Sequence, residues 1–177
     1  MMKISKLSEV TTKLGDKGFS QDYVQQKFRK DHILFDALGT NDELSSWLGL
    51  TYHYANYPLI LEFQKALQTI NTLIATDPST THPNVNFMKP ISEEALKLLE
   101  DEEQRLLTEH PLEPRFVLPG SEASLVGAYF DIARAVCRRA ERKVVKFIHE
   151  TQRDDLWMAL KYMNRLSDLL FVLARTQ

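Results

Sequence analysis

At 177 residues the chain has the length of one domain built on one core. Its 6 glycines and 7 prolines are too few for a turn-rich all-β sandwich, and a net charge of −2 excludes nucleic-acid binding through bulk charge. One cysteine excludes an internal disulfide and a multi-cysteine zinc site, while the lack of an apolar leader core after Met1 and of any long apolar run points to a soluble, cytoplasmic protein with no membrane partner.

Residues 1 to about 30 are polar, carry Gly15 and Gly18 and hold few periodic apolar positions, so a loop or arm is expected there. From about Asp31 to Asn56, the set Ile33, Leu34, Ala37, Leu38, Leu44, Trp47, Leu48 and Leu50 recurs at threes and fours, which predicts one long helix that tolerates Gly39. Pro58 fits the first turn of a second helix carrying Leu61, Phe63, Leu67, Ile70 and Leu73 and ending near Thr76. A polar loop follows at 77–84. Ser92, with Glu93 and Glu94 behind it, caps a third helix reaching about His110. Pro111, Pro114 and Pro119-Gly120 then break the pattern around Phe116-Val117-Leu118, where Phe116 by itself reads as an ordinary core residue between proline breaks. Ser121 is expected to open a fourth helix to about Glu150, and Thr151 with Asp154 a fifth, whose apolar stripe includes Leu156, Trp157, Leu160, Met163, Leu166 and Leu170. Short connections between five helices predict an all-α, five-helix antiparallel bundle of the ferritin-like up-down kind. It forms a single domain over 1–177 with an irregular arm at 1–30.

Three places carry chemistry. In the fourth helix Arg134, Arg138 and Arg142 recur every fourth residue, which stacks them on one face with the outer pair about 12 Å apart, near the reach of a polyphosphate. Such a row repels itself unless acidic neighbours or a bound anion compensate; a solvated basic face is the alternative reading. The small and apolar flanks Ala133, Ala135, Val136, Cys137 and Ala140 suggest a helix packed on several sides, with arginines in need of partners. Cys137 itself reads as a packing residue. In the arm, Thr12-Lys13-Leu14-Gly15-Asp16-Lys17-Gly18-Phe19-Ser20, with Lys30 ten residues on, could wrap phosphate with backbone N–H, hydroxyl and ammonium donors, although most such stretches are turns. In the second half of the chain Asn164 and Asp168 share a helix face, where an amide could read an adenine or ribose edge or simply bond a neighbouring helix. Asp42 and Glu43 read on pattern as a solvated acidic pair, although Asp42, between Leu38 and Leu44, could also lie near the buried side within reach of an arginine.

The order Thr-Lys-x-Gly-Asp-Lys-Gly-Phe-Ser, Gly-Thr-x-Asp-Glu-Leu, Phe-Val-Leu-Pro-Gly, Arg-Ala-Val-Cys-Arg-Arg-Ala-Glu-Arg and Asn-Arg-Leu-Ser-Asp-x-Leu-Phe-Val-Leu-Ala-Arg strongly resembles the PduO-type ATP:cob(I)alamin adenosyltransferases, from about residue 11 to Arg175. The resemblance implies a homotrimeric helical bundle with ATP and corrinoid bound where subunits meet, and Mg²⁺ brought through the ATP phosphates. It implies that Thr12, Lys13, Gly15, Ser20 and Lys30 form the N-terminal ATP loop, that Arg138, Arg139, Glu141 and Arg142 form a helical ATP site, and that Asn164 is a later ATP contact. Asp42 and Arg134 would pair across the subunit interface beside the corrinoid, and Phe116 would occupy the lower face of the corrin. A flavoprotein reductase and an adenosylcobalamin-dependent enzyme are candidate partners.

The chemistry such a protein performs is attack of nucleophilic cobalt on the 5′ carbon of ATP, forming adenosylcobalamin and expelling triphosphate. No side-chain nucleophile is needed; oriented cations for the departing triphosphate and a dry, aligned pocket are. The chain also departs from the resemblance. Leu14 stands where the family has threonine, residues 22–29 replace a glycine-containing stretch, the segment between Phe116 and Arg134 is about two residues longer, and Asp131 stands where histidine is common. These changes leave a second functional class open, a trimeric carrier or sensor that binds ATP or adenosylcobalamin without turnover.

Overall fold

The computed structural model describes residues 4–121 and 124–177; the N-terminal reading at Met1, Met2 and Lys3 and the part of the expected fourth helix at residues 122 and 123 lie outside it. Five long helices carry the fold: α2 (Ile33–Ala55), α3 (Leu59–Ile74), α4 (Glu93–Glu109), α5 (Leu125–Thr151) and α6 (Trp157–Thr176), after a four-residue α1 (Leu7–Val10) and a hairpin of β1 (Phe19–Gln21) and β2 (Lys27–Arg29). In α2 the buried positions are Leu34, Ala37, Asn41, Leu44, Leu48 and Thr51, alternating threes and fours as one apolar face requires. Gly39 lies exposed within it and the helix runs through. His32 caps its start and Asn56, in the left-handed region, ends it. Ser92 Oγ accepts the Ala95 N–H at 3.2 Å, the cap expected for α4.

Across the bundle the helices stand in the order α3, α2, α5, α6, α4, so α5 is central, packed between α2 and α6. Register follows from cross-helix pairs. Asp36 meets Lys143 at 2.7 Å and Glu43 meets Arg139, which sets α2 against α5 antiparallel. Cys137 Sγ donates to the Met163 carbonyl at 3.3 Å and Asp131 pairs with Arg175 at 2.7 Å, which does the same for α5 and α6. Glu100 pairs with Arg165 at 3.0 Å while Glu103 faces Asp168, so α4 and α6 run parallel as neighbours although successive helices alternate in direction. Fully buried Phe63, Phe130, Leu44, Leu48, Ile60 and Leu67 fill the centre, each burial contributing about 1.5–3 kcal/mol. No described helix is long and apolar enough to cross a membrane.

Three expectations shift. The arm is not wholly irregular: Asp22 Oδ1 accepts the N–H groups of Val24 and Gln26 and folds the chain into the hairpin. Among the described arm residues only Val24 is buried, and Tyr23 N–H to the Ala75 carbonyl at 2.7 Å fastens the arm to the end of α3. Ser121 does not open α5; Ser124 does, its Oγ accepting the Gly127 N–H at 3.0 Å. Thr151 does not cap α6 but closes α5, donating its hydroxyl to the Phe147 carbonyl at 2.6 Å, and a 3-10 turn at Asp154–Leu156 leads into α6.

Candidate functional site

The hairpin turns the arm into a cleft. Lys30 N–H donates to the Gly18 carbonyl at 2.9 Å, closing the loop on itself. A Cβ built on Gly15 would stand 2.6 Å from Lys30 Nζ, so in this arrangement the end of the lysine side chain occupies the space a side chain at position 15 would need. Thr12, Gly15, Ser20 and Lys30 line one cleft of about 420 Å³ together with Lys27 and Gln21. Lys13, in the left-handed region at φ 59°, is exposed beside them. The cleft wall offers two ammonium groups, two hydroxyls and no carboxylate, a donor set suited to an anion. Sequence reading missed Lys27. It faces Gln21 in the hairpin register, and only recognition of the Asp22 turn would have placed it there.

On α5 the arginine row divides. The helix turns Ala133, Val136, Cys137, Ala140 and Val144 into the bundle, so the row lies at the surface rather than buried with partners as its flanks suggested. Arg139 pairs with Glu43 and Lys143 with Asp36, the solvated, acid-laced arrangement. Arg138 and Arg142 are exposed and have no ion pair among the described residues, so the row keeps two cations uncompensated. Arg134 is half-buried with its guanidinium 5.2 Å from the Phe171 ring centroid. Glu141 Oε1 accepts from Asn164 Nδ2 at 3.2 Å, and Asn164 Oδ1 accepts from Arg165 at 3.0 Å, so the amide's orientation is fixed from both ends.

Asn41 takes the buried place in α2, and Asp42 is exposed with Glu43, the solvated arrangement and not the place near the core. Within one chain Asp42 meets Asn71 and Arg134 meets Phe171; the two are not brought together. Phe116 lies in the segment joining α4 to α5 and is 88% exposed, which rules out the reading of a core residue between proline breaks. Val117 and Arg115 beside it border a cavity of about 320 Å³ whose far wall includes Phe171 and Arg175. Asp131, singled out in the sequence only as a departure, is buried and takes both Arg175 nitrogens, at 2.7 and 3.1 Å. These two residues lie 44 positions apart, so no local signal announces the pair.

As chemistry, the described residues present cations and hydroxyls at the surface and no activated nucleophile. Cys137 is buried, and burial pushes its thiol well above the ordinary range. No cluster of three or more metal-ligating side chains occurs among the described residues.

The family model described as cobalamin adenosyltransferase matches residues 10–177. The chain is 36% identical to the corrinoid adenosyltransferase MMAB of Bos taurus over 98% of its own length and 73% of that protein's. It is 33% identical to a corrinoid adenosyltransferase of Bacillus subtilis, covering 93% of this chain and 83% of the relative. A solved variant of the PduO-type ATP:corrinoid adenosyltransferase from Lactobacillus reuteri, complexed with cobalamin and ATP, superposes with a TM-score of 0.82 at 29% identity, covering 94% of this chain and 92% of that one. A family match over nearly the whole chain, with the helical order and the unpaired cations already described, makes this protein a member of the cobalamin adenosyltransferase family.

Proposed function

We propose that the chain transfers the 5′-deoxyadenosyl group from ATP to cob(I)alamin, forming adenosylcobalamin and releasing triphosphate, and that it works as a cytoplasmic homotrimer. The observation that carries this reading is the pairing of family membership with the arm cleft, whose lining holds no carboxylate, and with exposed Arg138 and Arg142, which have no ion pair among the described residues.

Lys13, Lys30, Thr12 and Ser20 hold the phosphates, with Gly15 keeping the backbone open to them. Arg138 and Arg142 stabilise charge on the departing triphosphate, because a guanidinium fork holds phosphate oxygens in fixed geometry; one such donor is worth roughly 2.7–4 kcal/mol in a transition state. Arg139 serves the same site once its surface pairing with Glu43 is loosened, a pairing worth about 0–1 kcal/mol. Glu141 holds Asn164 in one orientation, and Asn164 reads the nucleoside. Mg²⁺ is carried on the ATP phosphates and neutralises phosphate charge.

Asp42 and Arg134 pair between subunits. What supports this is that neither has an ion pair among the described residues: Asp42 is held by a neutral amide and Arg134 by an aromatic ring. Phe116, exposed on the connecting segment, covers the lower face of the corrin. A flavoprotein reductase supplies reduced cobalt, and an adenosylcobalamin-dependent enzyme takes the product. The reading is tested by phosphorus NMR of the reaction mixture. Inorganic triphosphate should appear in equal amount to adenosylcobalamin; diphosphate or monophosphate as the first product would refute it.

A further inference from the structure

Between Pro111 and Ser121 the chain leaves the end of α4, carries Phe116 outward and returns toward the start of α5. Leu112 packs against the core near the segment's start, but beyond it Arg115 and Val117 stand across a cavity of about 320 Å³ from Phe171 and Arg175. There a polar contact joins the segment to the bundle. Gly120, in the left-handed region at φ 75°, turns its N–H inward and donates it to Asp131 Oδ2 at 3.1 Å. That oxygen also accepts from Arg175 Nη1 at 3.1 Å, while Oδ1 accepts from Nη2 at 2.7 Å. Both side chains are about 95% buried, at 6% and 5% exposure, so the fork is dry and its geometry narrow. The carboxylate thus has one face on α6 and one on the segment bearing Phe116.

We infer that Asp131, held by Arg175, is a positioning residue for the adenosyl transfer: it fixes the Gly120 turn and thereby the placement of Phe116 against the corrinoid. The inference rests on the proposed reaction and assigns a part to a pair that touches no substrate. Asp131 lies three residues before Arg134 on α5, so the same turn of helix sets both the Phe116 segment and the arginine beside it. Arg175 also lies over the Phe171 ring at 5.2 Å, which keeps its fork aimed at Asp131.

The test uses the full chain with ATP, Mg²⁺ and chemically reduced cobalamin, measuring kcat and KM for each substrate. Asp131→Asn keeps the side-chain shape and removes the charge; Arg175→Lys keeps the buried charges balanced and removes the fork. Both are assayed where their melting curves show folded protein, alone and combined with Phe116→Ala. Each single variant should lose about tenfold or more in kcat/KM for the corrinoid, with the ATP KM within about twofold of wild type, since a displaced reacting geometry costs rate without touching remote binding. In the Phe116→Ala background Asp131→Asn should cost about twofold at most, because residues acting through one another are not additive. Parallel losses toward ATP and corrinoid, or a full multiplicative loss on top of Phe116→Ala, would overturn the positioning role. A wild-type chain that makes no adenosylcobalamin overturns the underlying reaction, an outcome separate from either.

Discussion

Asn71 donates its side-chain N–H to Asp42 Oδ1 at 2.8 Å while its own carbonyl accepts from buried Asn41 at 2.9 Å. The relay runs from the core to the surface and holds an exposed carboxylate in one direction, although no cation among the described residues pairs with it. An oriented, uncompensated carboxylate is suited to a partner's arginine. The wild-type protein should therefore scatter light as a trimer at micromolar concentration. Asp42→Ala should lower corrinoid turnover, because truncating one partner of a desolvated interface pair costs about 2–5 kcal/mol. A wild-type monomer under those conditions would contradict a composite site.

Arg138 and Lys143 lie five residues apart on α5 and differ in what they touch. Lys143 has Asp36 at 2.7 Å, an exposed pair worth about 0–1 kcal/mol, whereas Arg138 has no ion pair among the described residues. Arg138→Ala should reduce turnover by roughly 30- to 1,000-fold, corresponding to about 2–4 kcal/mol, and Lys143→Ala by less than about threefold. Steady-state kinetics on both variants decide it; small and equal effects would return the whole row to a solvated face.

Phe116→Ala should leave the melting temperature nearly unchanged. A buried phenylalanine truncated to alanine costs about 3–5 kcal/mol, but this one is 88% exposed. Turnover from cob(II)alamin with a mild reductant should fall further than turnover from chemically prepared cob(I)alamin, since only the first route includes a reduction that a displaced lower ligand assists. Equal losses by both routes in a folded variant would remove Phe116 from that task.

Burial raises the Cys137 thiol and the Tyr162 phenol, and burial followed by the Glu102 hydrogen bond raises the Tyr57 phenol. All three are neutral when protonated. The unfolded chain sheds the cysteine proton near about pH 8.5 and the tyrosine protons near about 10, while the folded chain keeps them. The unfolded state therefore binds fewer protons in that range, and stability falls as pH rises. Urea midpoints should hold between about pH 7 and 8, decline above about 8.5 and fall faster above about 10, with Cys137→Ala flattening the first decline. A wild-type midpoint that stays level up to about pH 10 would contradict these buried neutral groups.

Much of the bundle was legible because burial follows local spacing: Leu34, Ala37, Leu44 and Leu48 mark α2 without reference to any other element. The start of α5 was not, since Ser121 and Ser124 are both good caps and only three-dimensional placement makes Ser124 the one whose Oγ reaches an N–H. The hairpin escaped notice because three-residue strands are too short to show alternation. Of the candidate site, Thr12, Gly15, Ser20 and Lys30 were read together and lie together. Asp42 had two readings for a simple reason: a position between Leu38 and Leu44 can take either side of the apolar stripe, and Asn41 took the inner one. Asp131 with Arg175 depends on a contact between distant helices, which spacing cannot express.

The central claim is that this chain makes adenosylcobalamin, and it is tested most directly by mixing the purified protein with ATP, Mg²⁺ and chemically reduced cobalamin and following the visible spectrum. The account predicts conversion of the cob(I)alamin spectrum to that of adenosylcobalamin, dependent on both ATP and protein and catalytic over many turnovers. ATP binding with an unchanged corrinoid spectrum, from protein shown to be folded and trimeric, would contradict it and identify a carrier or sensor instead.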